Sequence, residues 1–508
     1  MRRRRAFADS VGRQNLSTSS NSAPASAVQL KRALGMWDLV LLFVVAVANL
    51  NVVPVIAASG PVTIWLWALA LIFFFWPQGV AVVELSNRYP QEGGIYLWTK
   101  KFFGDFHGFL SGWCYWTNNI FYIPTLLVIV VGISVYVGGA RAQQLGGNQW
   151  YVAGVSVVLL WVMIALNIRG LGVGKWINNL GGIGTAITSV VLVGLAIGVL
   201  RAHGGALHGS DFSVRGADWH LVNAFGFICF GLVGLELASV MGDEIEAPRR
   251  NVPRAVLWGG LLSGILYVAA TLSLLLAVPK KEIGAVQGLV QAVKSMADRL
   301  SVGWLVPVVA LVLTFAIAGT ASAWLSGSAR IPFVAGLDSY LPSGLGKIHP
   351  QFDTPYIALI VQGVMTTLFL LLSFVGSSVE QAYKLLLSLA VVLQLVPFLY
   401  MYAAIVLVAA RRSREAAEGH YGRTTLWLAG ISGFVTTAIG MCVAFVPPSD
   451  ESVWMFEAKM ALGCVGLLGV GAFFFVISAR RAARSGALSA PSLAAIGRTE
   501  VPTEGEAR

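Results

Sequence analysis

Two clusters of residues in this chain have the types and spacing to hold a small polar molecule. In the first, Ala48, Asn49, Asn51 and Pro54 interrupt the apolar run from Ala46 to Pro54. In the second, Phe230, Gly231, Gly234 and Glu236 interrupt the run from Phe230 to Glu236. Both sit in stretches otherwise apolar enough to cross a membrane. Lipid has no water for freed peptide groups, so a broken helix persists there only where it lines a cavity enclosed by protein. Gly231 and Gly234 lower the cost of leaving helical geometry. An opened helix shows N–H groups on one half and C=O groups on the other. The first suits a carboxylate and the second an ammonium group or a cation. A free amino acid carries both on one carbon, so two crossed, opened helices match a zwitterion.

A plainer reading stands beside each residue. Small residues pack membrane helices closely, and Asn49 and Asn51 could interlock two helices. Glu236 is the stronger signal, because a carboxyl group within a span costs ~2.5 kcal/mol or more on insertion scales. Its span contains no Lys or Arg. It reads as a protonation switch or as a hydrogen-bonding strut between helix halves.

The elements that must position these clusters are membrane helices. Of 508 residues, 56% are hydrophobic and 12% charged, against about a quarter charged in soluble domains, and the mean hydropathy is +0.75. The fold class is an all-α polytopic membrane protein with 12 transmembrane helices. The spans fall near 36–58, 62–85, 106–138, 149–167, 174–200, 220–242, 252–277, 301–332, 355–375, 381–410, 424–447 and 453–478, each long enough to cross a bilayer. The domain expected is 34–480, flanked by a disordered basic tail (1–33) and a second tail (481–508). The Arg-rich start lacks a short apolar core and cleavage site, so no signal peptide is expected.

The net charge of +11 loses its nucleic-acid connotation on this topology. Most Lys and Arg fall on the segments that share a side with the amino terminus, notably Arg411, Arg412, Arg414 and Arg423, and Arg249, Arg250 and Arg254. That asymmetry places both termini in the cytoplasm, in a multi-pass plasma (inner) membrane protein. The lipid bilayer is a partner and nucleic acid is not. Cys114, Cys229, Cys442 and Cys464 all lie in apolar spans with no CxxC pair, and the six His have no metal-ligand spacing. Neither a metal nor a cofactor is expected. No HExxH or G-x-S-x-G supports a membrane enzyme, and no repeated pore loop supports a channel.

Several motifs carry a family resemblance. Tyr89-Pro90-Gln91-Glu92-Gly93-Gly94-Ile95-Tyr96 resembles the Pro-x-x-Gly-Gly-x-Tyr junction of the amino acid–polyamine–organocation (APC) superfamily. Gly231 to Glu236, with Asp243-Glu244-Ile245-Glu246-Ala247-Pro248 beyond it, is similar to that superfamily's sixth span and its exit. Arg330 to Pro342 and His349 to Pro355 match the loop after its eighth span. The likeness covers nearly the whole membrane region. Met36-Trp37, Val53-Pro54, Gly93 to Trp98 and Val446-Pro447-Pro448 resemble the branch of glutamate/GABA antiporter-like and related amino acid permeases. The arginine/agmatine antiporter is a more distant likeness.

The resemblance implies a LeuT-type fold of two inverted five-helix repeats, about 36–200 and 220–410, plus two extra helices at about 424–478. It implies alternating access around an amino acid site formed by spans 1, 3, 6, 8 and 10. Carried over by motif, Phe230 is the aromatic that closes over substrate, Trp324 a pocket tryptophan, and Glu236 the glutamate linked to gating and pH response. Tyr122, Ile123 and Thr125 fall on or beside pocket-facing positions of span 3. Two departures stand out. Where the family has Gly-Ser-Gly in the opened first helix, this chain has Val47-Ala48-Asn49, and Trp176 to Leu200 holds none of the lysine some proton-coupled members carry. The function expected is secondary transport of small neutral amino acids, by exchange or with a coupling ion, proton or sodium. A glutamate/GABA-type antiporter and a polyamine transporter stand as alternatives.

Overall fold

A computed structural model describes residues 32–204, 221–278, 287–338, 340–374, 379–411, 419–445 and 453–484. Residues 1–31 and 485–508 of the tails, Val446-Pro447-Pro448, and Arg412 and Arg414 lie outside the described residues. Among the described residues there are helices and loops but no strand, and one isolated bridge joins Leu34 to Ile245. Eleven helices among the described residues are long and apolar enough to cross a membrane. The sixth span falls outside that set because it is broken: its pieces are Leu221–Gly231 and Leu237–Val240. The others, in order, are span 1 (Met36–Ala57), span 2 (Thr63–Arg88), span 3 (Asp105–Ser134) and span 4 (Gln149–Ile168). After them come span 5 (Leu171–His203), span 7 (Pro248–Ala277), span 8 (Leu305–Ser328) and span 9 (Tyr356–Ser373). Span 10 (Val379–Ala410), span 11 (Arg423–Val443) and span 12 (Val453–Arg484) complete the bundle.

Burial separates centre from rim. In spans 1 and 3, 89% and 94% of the most apolar stretch is buried within the protein, against 17% in span 12. Trp176, Leu257, Trp258, Phe315, Leu462 and Phe473 are exposed, as helices facing lipid require. Inside, small residues allow close approach. Span 5 crosses span 8 where Gly181 meets Gly319, and a Cβ on either would lie within 3 Å of the other's Cα.

Span 1 is helical to Val47, leaves helical geometry at Ala48 and Asn49, and resumes as a turn of 3₁₀ helix at Leu50–Val52 followed by Val53–Ala57. Pro54 sits at the start of the second piece, where its missing N–H costs nothing. Span 6 opens after Gly231, and Gly234 adopts φ +140°, which L side chains avoid. There is also no room for a side chain. A Cβ on Gly234 would lie 2.9 Å from Val47 Cγ2 and 3.0 Å from the Ala46 carbonyl carbon. The two breaks therefore touch, backbone against backbone. Gly234→Ala should abolish the monodisperse, folded carrier in detergent, as read by size exclusion. Gly154→Ala, at an exposed helical glycine with open space around it, should leave the profile unchanged.

Candidate functional site

The carbonyls released where span 1 breaks are taken up by span 8. Thr320 Oγ1 donates to Val45 O (2.9 Å) and Trp324 Nε1 to Ala46 O (3.3 Å). Span 7 supplies the bridge between the two breaks. Tyr267 OH accepts from Asn49 N (2.9 Å) and lies 3.1 Å from Asn49 O and 2.9 Å from Gly231 O. One hydroxyl has one proton and two lone pairs, so this group receives one N–H and shares its proton between a carbonyl of each broken helix. Its ring lies against Trp67 of span 2, with centroids 4.8 Å apart.

A small cavity lies between the breaks. Span 1 contributes Ala46 and Asn49 to its wall, and span 6 contributes Phe230, Gly231 and Val233. Asn118 and Tyr122 of span 3, Trp324 of span 8 and Gln394 of span 10 close it. Tyr122 stands edge-on to both Phe230 (5.0 Å, 89°) and Trp324 (5.9 Å, 86°). The free volume is ≈ 10 Å³, room for about one water, so an organic solute enters only if these aromatic rings move. The conformation is closed.

Glu236 lies just beyond the break and is fully buried. Four donors converge on its carboxylate: Gln78 Nε2 of span 2 (3.0 Å), Tyr115 OH of span 3 (3.1 Å), Gln394 Nε2 of span 10 (3.3 Å) and the Gly234 amide (2.9 Å). It thus joins four spans and also satisfies an amide that the opened helix cannot.

Of the residues singled out in the sequence, Asn49, Tyr122, Phe230, Gly231 and Trp324 meet on the cavity. Gly234 and Glu236 form the floor of the span 6 break. Ala48 packs instead with Val44 and Leu266. Asn51 is buried with no hydrogen-bond partner on its amide, Ile123 lies in the core, and Thr125 Oγ1 donates back to Tyr122 O (2.7 Å). Sequence reasoning missed Tyr267, Gln78, Tyr115, Gln394 and Thr320. The two glutamines were detectable, since an amide deep in an apolar span must find partners.

A second constellation closes the Glu244 end of the bundle. Arg330 Nη2 and Nε donate to the two oxygens of Glu244 (2.9 and 3.2 Å), and Arg330 Nη1 donates to Ser326 O. Glu92 stands 3.9 Å from Arg330 Nε and accepts the Asp243 amide on Oε2 (3.1 Å), while its buried Oε1 has no hydrogen-bond partner. Ala33 and Leu34 amides donate to Glu244 O (3.0 and 3.1 Å), and Glu246 N donates to Leu34 O (3.0 Å). The double glycine fits here. Gly93 N reaches Val240 O (3.2 Å), and a Cβ on Gly94 would lie 2.3 Å from Ser239 Oγ. Beside it, Tyr96 OH and Lys100 Nζ both donate to Asp338 (2.6 and 2.8 Å). Burial and the Glu244 charge hold the Glu92 carboxyl well above the ordinary glutamate range, with Arg330 opposing.

The broken central helices and the enclosed hollow between them define a polytopic membrane carrier. A family model for amino acid permeases matches residues 34–470, and the chain belongs to that family. It is 27% identical to an uncharacterized transporter of Legionella pneumophila, over 86% of this chain and 95% of that protein. It is 24% identical to a glutamate/gamma-aminobutyrate antiporter of Lactococcus lactis, over 78% and 80% of the two chains. To a probable agmatine/putrescine antiporter of the same organism it is 22% identical, over 68% and 72%. Among the described residues, no His, Cys, Asp and Glu cluster could hold a metal ion.

Two predictions follow from these contacts. Tyr267→Phe removes the shared hydroxyl and leaves Gly231 O short of a partner, at about 1–3 kcal/mol for a buried group, while Asn49 N–H keeps only Val47 O. A lower melting temperature and at least tenfold slower transport are expected in purified protein. For Glu92, the folded state holds the proton more tightly than the unfolded chain. Its contribution to stability is therefore complete below ~4.3, the ordinary glutamate value, and is lost as pH rises through the elevated one. Glu92→Gln should make the melting temperature less sensitive to rising pH than in the wild type.

Proposed function

We propose that the chain is a secondary transporter that exchanges small, uncharged amino acids across the plasma membrane by alternating access, with both termini cytoplasmic. The observation that carries the reading is the cavity itself, built where two opened helices meet and roofed by Phe230, Tyr122 and Trp324. The opened backbones offer partial charges of both signs to a zwitterion. Among the described residues no Lys, Arg or His lines the cavity, so an ionised acidic side chain would find no counter-charge among them. Exchange is favoured because two relatives named for their substrates are antiporters. The inverted repeats are assigned to 36–200 and 220–410, with 424–478 as additional helices, so that spans 1 and 6 are equivalent broken members.

In this reading the substrate enters from one side, the aromatic roof closes, and the latch of Glu92, Glu244 and Arg330 releases on the cytoplasmic side. Glu236 couples the floor of the site to spans 2, 3 and 10 through its hydrogen bonds. A coupling proton, if one is carried, would use this carboxyl; sodium coupling would need carbonyl ligands at the breaks. Glutamate/GABA exchange and polyamine exchange are the competing readings, each drawn from the name of a relative.

Counterflow in proteoliposomes loaded with single amino acids, GABA, agmatine or putrescine separates them. Stimulation of uptake by internal neutral amino acids supports the proposal, and stimulation only by glutamate, GABA or amines removes it. Phe230→Ala and Trp324→Ala should each lower kcat/KM by about tenfold or more, equivalent to 1.4 kcal/mol of lost stabilisation. Wild-type kinetics in both would take these rings out of the site.

A further inference from the structure

The cavity has a polarity of its own, set by a chain of hydrogen bonds that starts at Glu236. Its two oxygens accept from all four groups around them, and Gln394 turns Nε2 toward Oε1 (3.3 Å). A primary amide has its oxygen on the other branch, and Gln394 Oε1 accordingly faces span 3, where Asn118 Nδ2 donates to it. Asn118 is thereby left with Oδ1, which is buried, has no hydrogen-bond partner and belongs to a residue of the cavity wall. Asn49 Oδ1 on the wall's span 1 side is likewise buried and unpartnered. The indole N–H of Trp324 is already spent on Ala46 O. The side chains of the cavity therefore hold spare acceptors.

We propose that Asn118 determines substrate specificity, selecting small uncharged side chains that present a hydrogen-bond donor, such as a hydroxyl or a primary amide. The proposal rests on the amino acid reading above. With the α-ammonium and carboxylate at the opened backbones of spans 1 and 6, the substrate side chain points toward spans 3 and 10, where Asn118 and Gln394 are paired. A hydroxyl or amide donor there satisfies Asn118 Oδ1. An aliphatic side chain of the same shape buries that oxygen unpaired, and sites built to bond a substrate OH or NH reject analogues lacking it. An acidic side chain beside Asn118 meets its spare oxygen, with the Glu236 carboxyl behind Gln394.

Threonine and valine have the same shape and differ in the donor. Full-length protein in proteoliposomes, assayed for exchange of labelled threonine, valine, serine and alanine, tests the idea directly. The wild type should favour threonine over valine, and serine over alanine, by about tenfold or more in kcat/KM. Asn118→Leu should bring the threonine-to-valine ratio close to one, while Asn118→Thr, which restores an acceptor, should recover part of it. Equal use of threonine and valine by the wild type would overturn the proposal without needing any variant to fold. So would an unchanged ratio in Asn118→Leu. Exchange of none of the four overturns the amino acid reading itself, a result distinct from a missing preference.

Discussion

The bundle is organised by one constraint: peptide groups freed in the middle of a membrane must be satisfied by protein, because lipid cannot do it. Each break in this chain is answered by a side chain from a different helix. Span 8 caps the carbonyls of span 1 through Thr320 and Trp324, and span 7 caps both breaks through Tyr267. Glu236 caps the Gly234 amide from within span 6. The positions of spans 7 and 8 relative to spans 1 and 6 are thus consequences of the breaks. The cavity is the space these caps leave unfilled.

The same constraint links the cavity to the Glu244 end. From Gly234 the chain runs through a helix of only four residues, Leu237–Val240, and a turn at Gly242–Glu244 before span 7 begins. One end of this short segment is anchored by the Glu236 carboxylate, and the other by Arg330 and the amides of Ala33 and Leu34. Gly93 and Gly94 clasp its middle. A segment so short and so tied cannot bend gradually. Displacing it means exchanging one set of hydrogen bonds for another, which is the behaviour expected of a packed two-state element.

The sequence exposed more of the backbone than of the site. The breaks were legible because Asn49, Asn51 and Pro54, and Gly231, Gly234 and Glu236, are each costly in a continuous span. The three junction motifs were legible as separate strings. That they meet in space, with Glu92, Glu244 and Arg330 in one cluster and Tyr96 beside Asp338, follows only from the folded topology. Tyr267 gave no signal, since a lone tyrosine in a span reads equally as an interfacial anchor. Ile123 follows Tyr122 in sequence yet turns away, because adjacent residues on a helix do not share a face, and Thr125, one turn on, spends its hydroxyl on Tyr122 O.

Family membership and cavity chemistry answer different questions. At 22% and 24% identity to an agmatine/putrescine and a glutamate/gamma-aminobutyrate antiporter, the chain resembles proteins named for cationic amines and for an acidic and a zwitterionic amino acid. A scaffold common to both cannot by itself choose between them, since its opened backbones provide both signs of partial charge. The choice falls to side chains that project into the hollow, and among the described residues these are amides, aromatic rings and the small aliphatic groups of Ala46 and Val233, with no fixed charge. The Glu236 carboxyl connects to the cavity wall through Gln394. Its influence arrives as orientation, turning two amides so that an oxygen is left over, and an orientation is something a scaffold can inherit unchanged while its substrate changes with one residue of span 3.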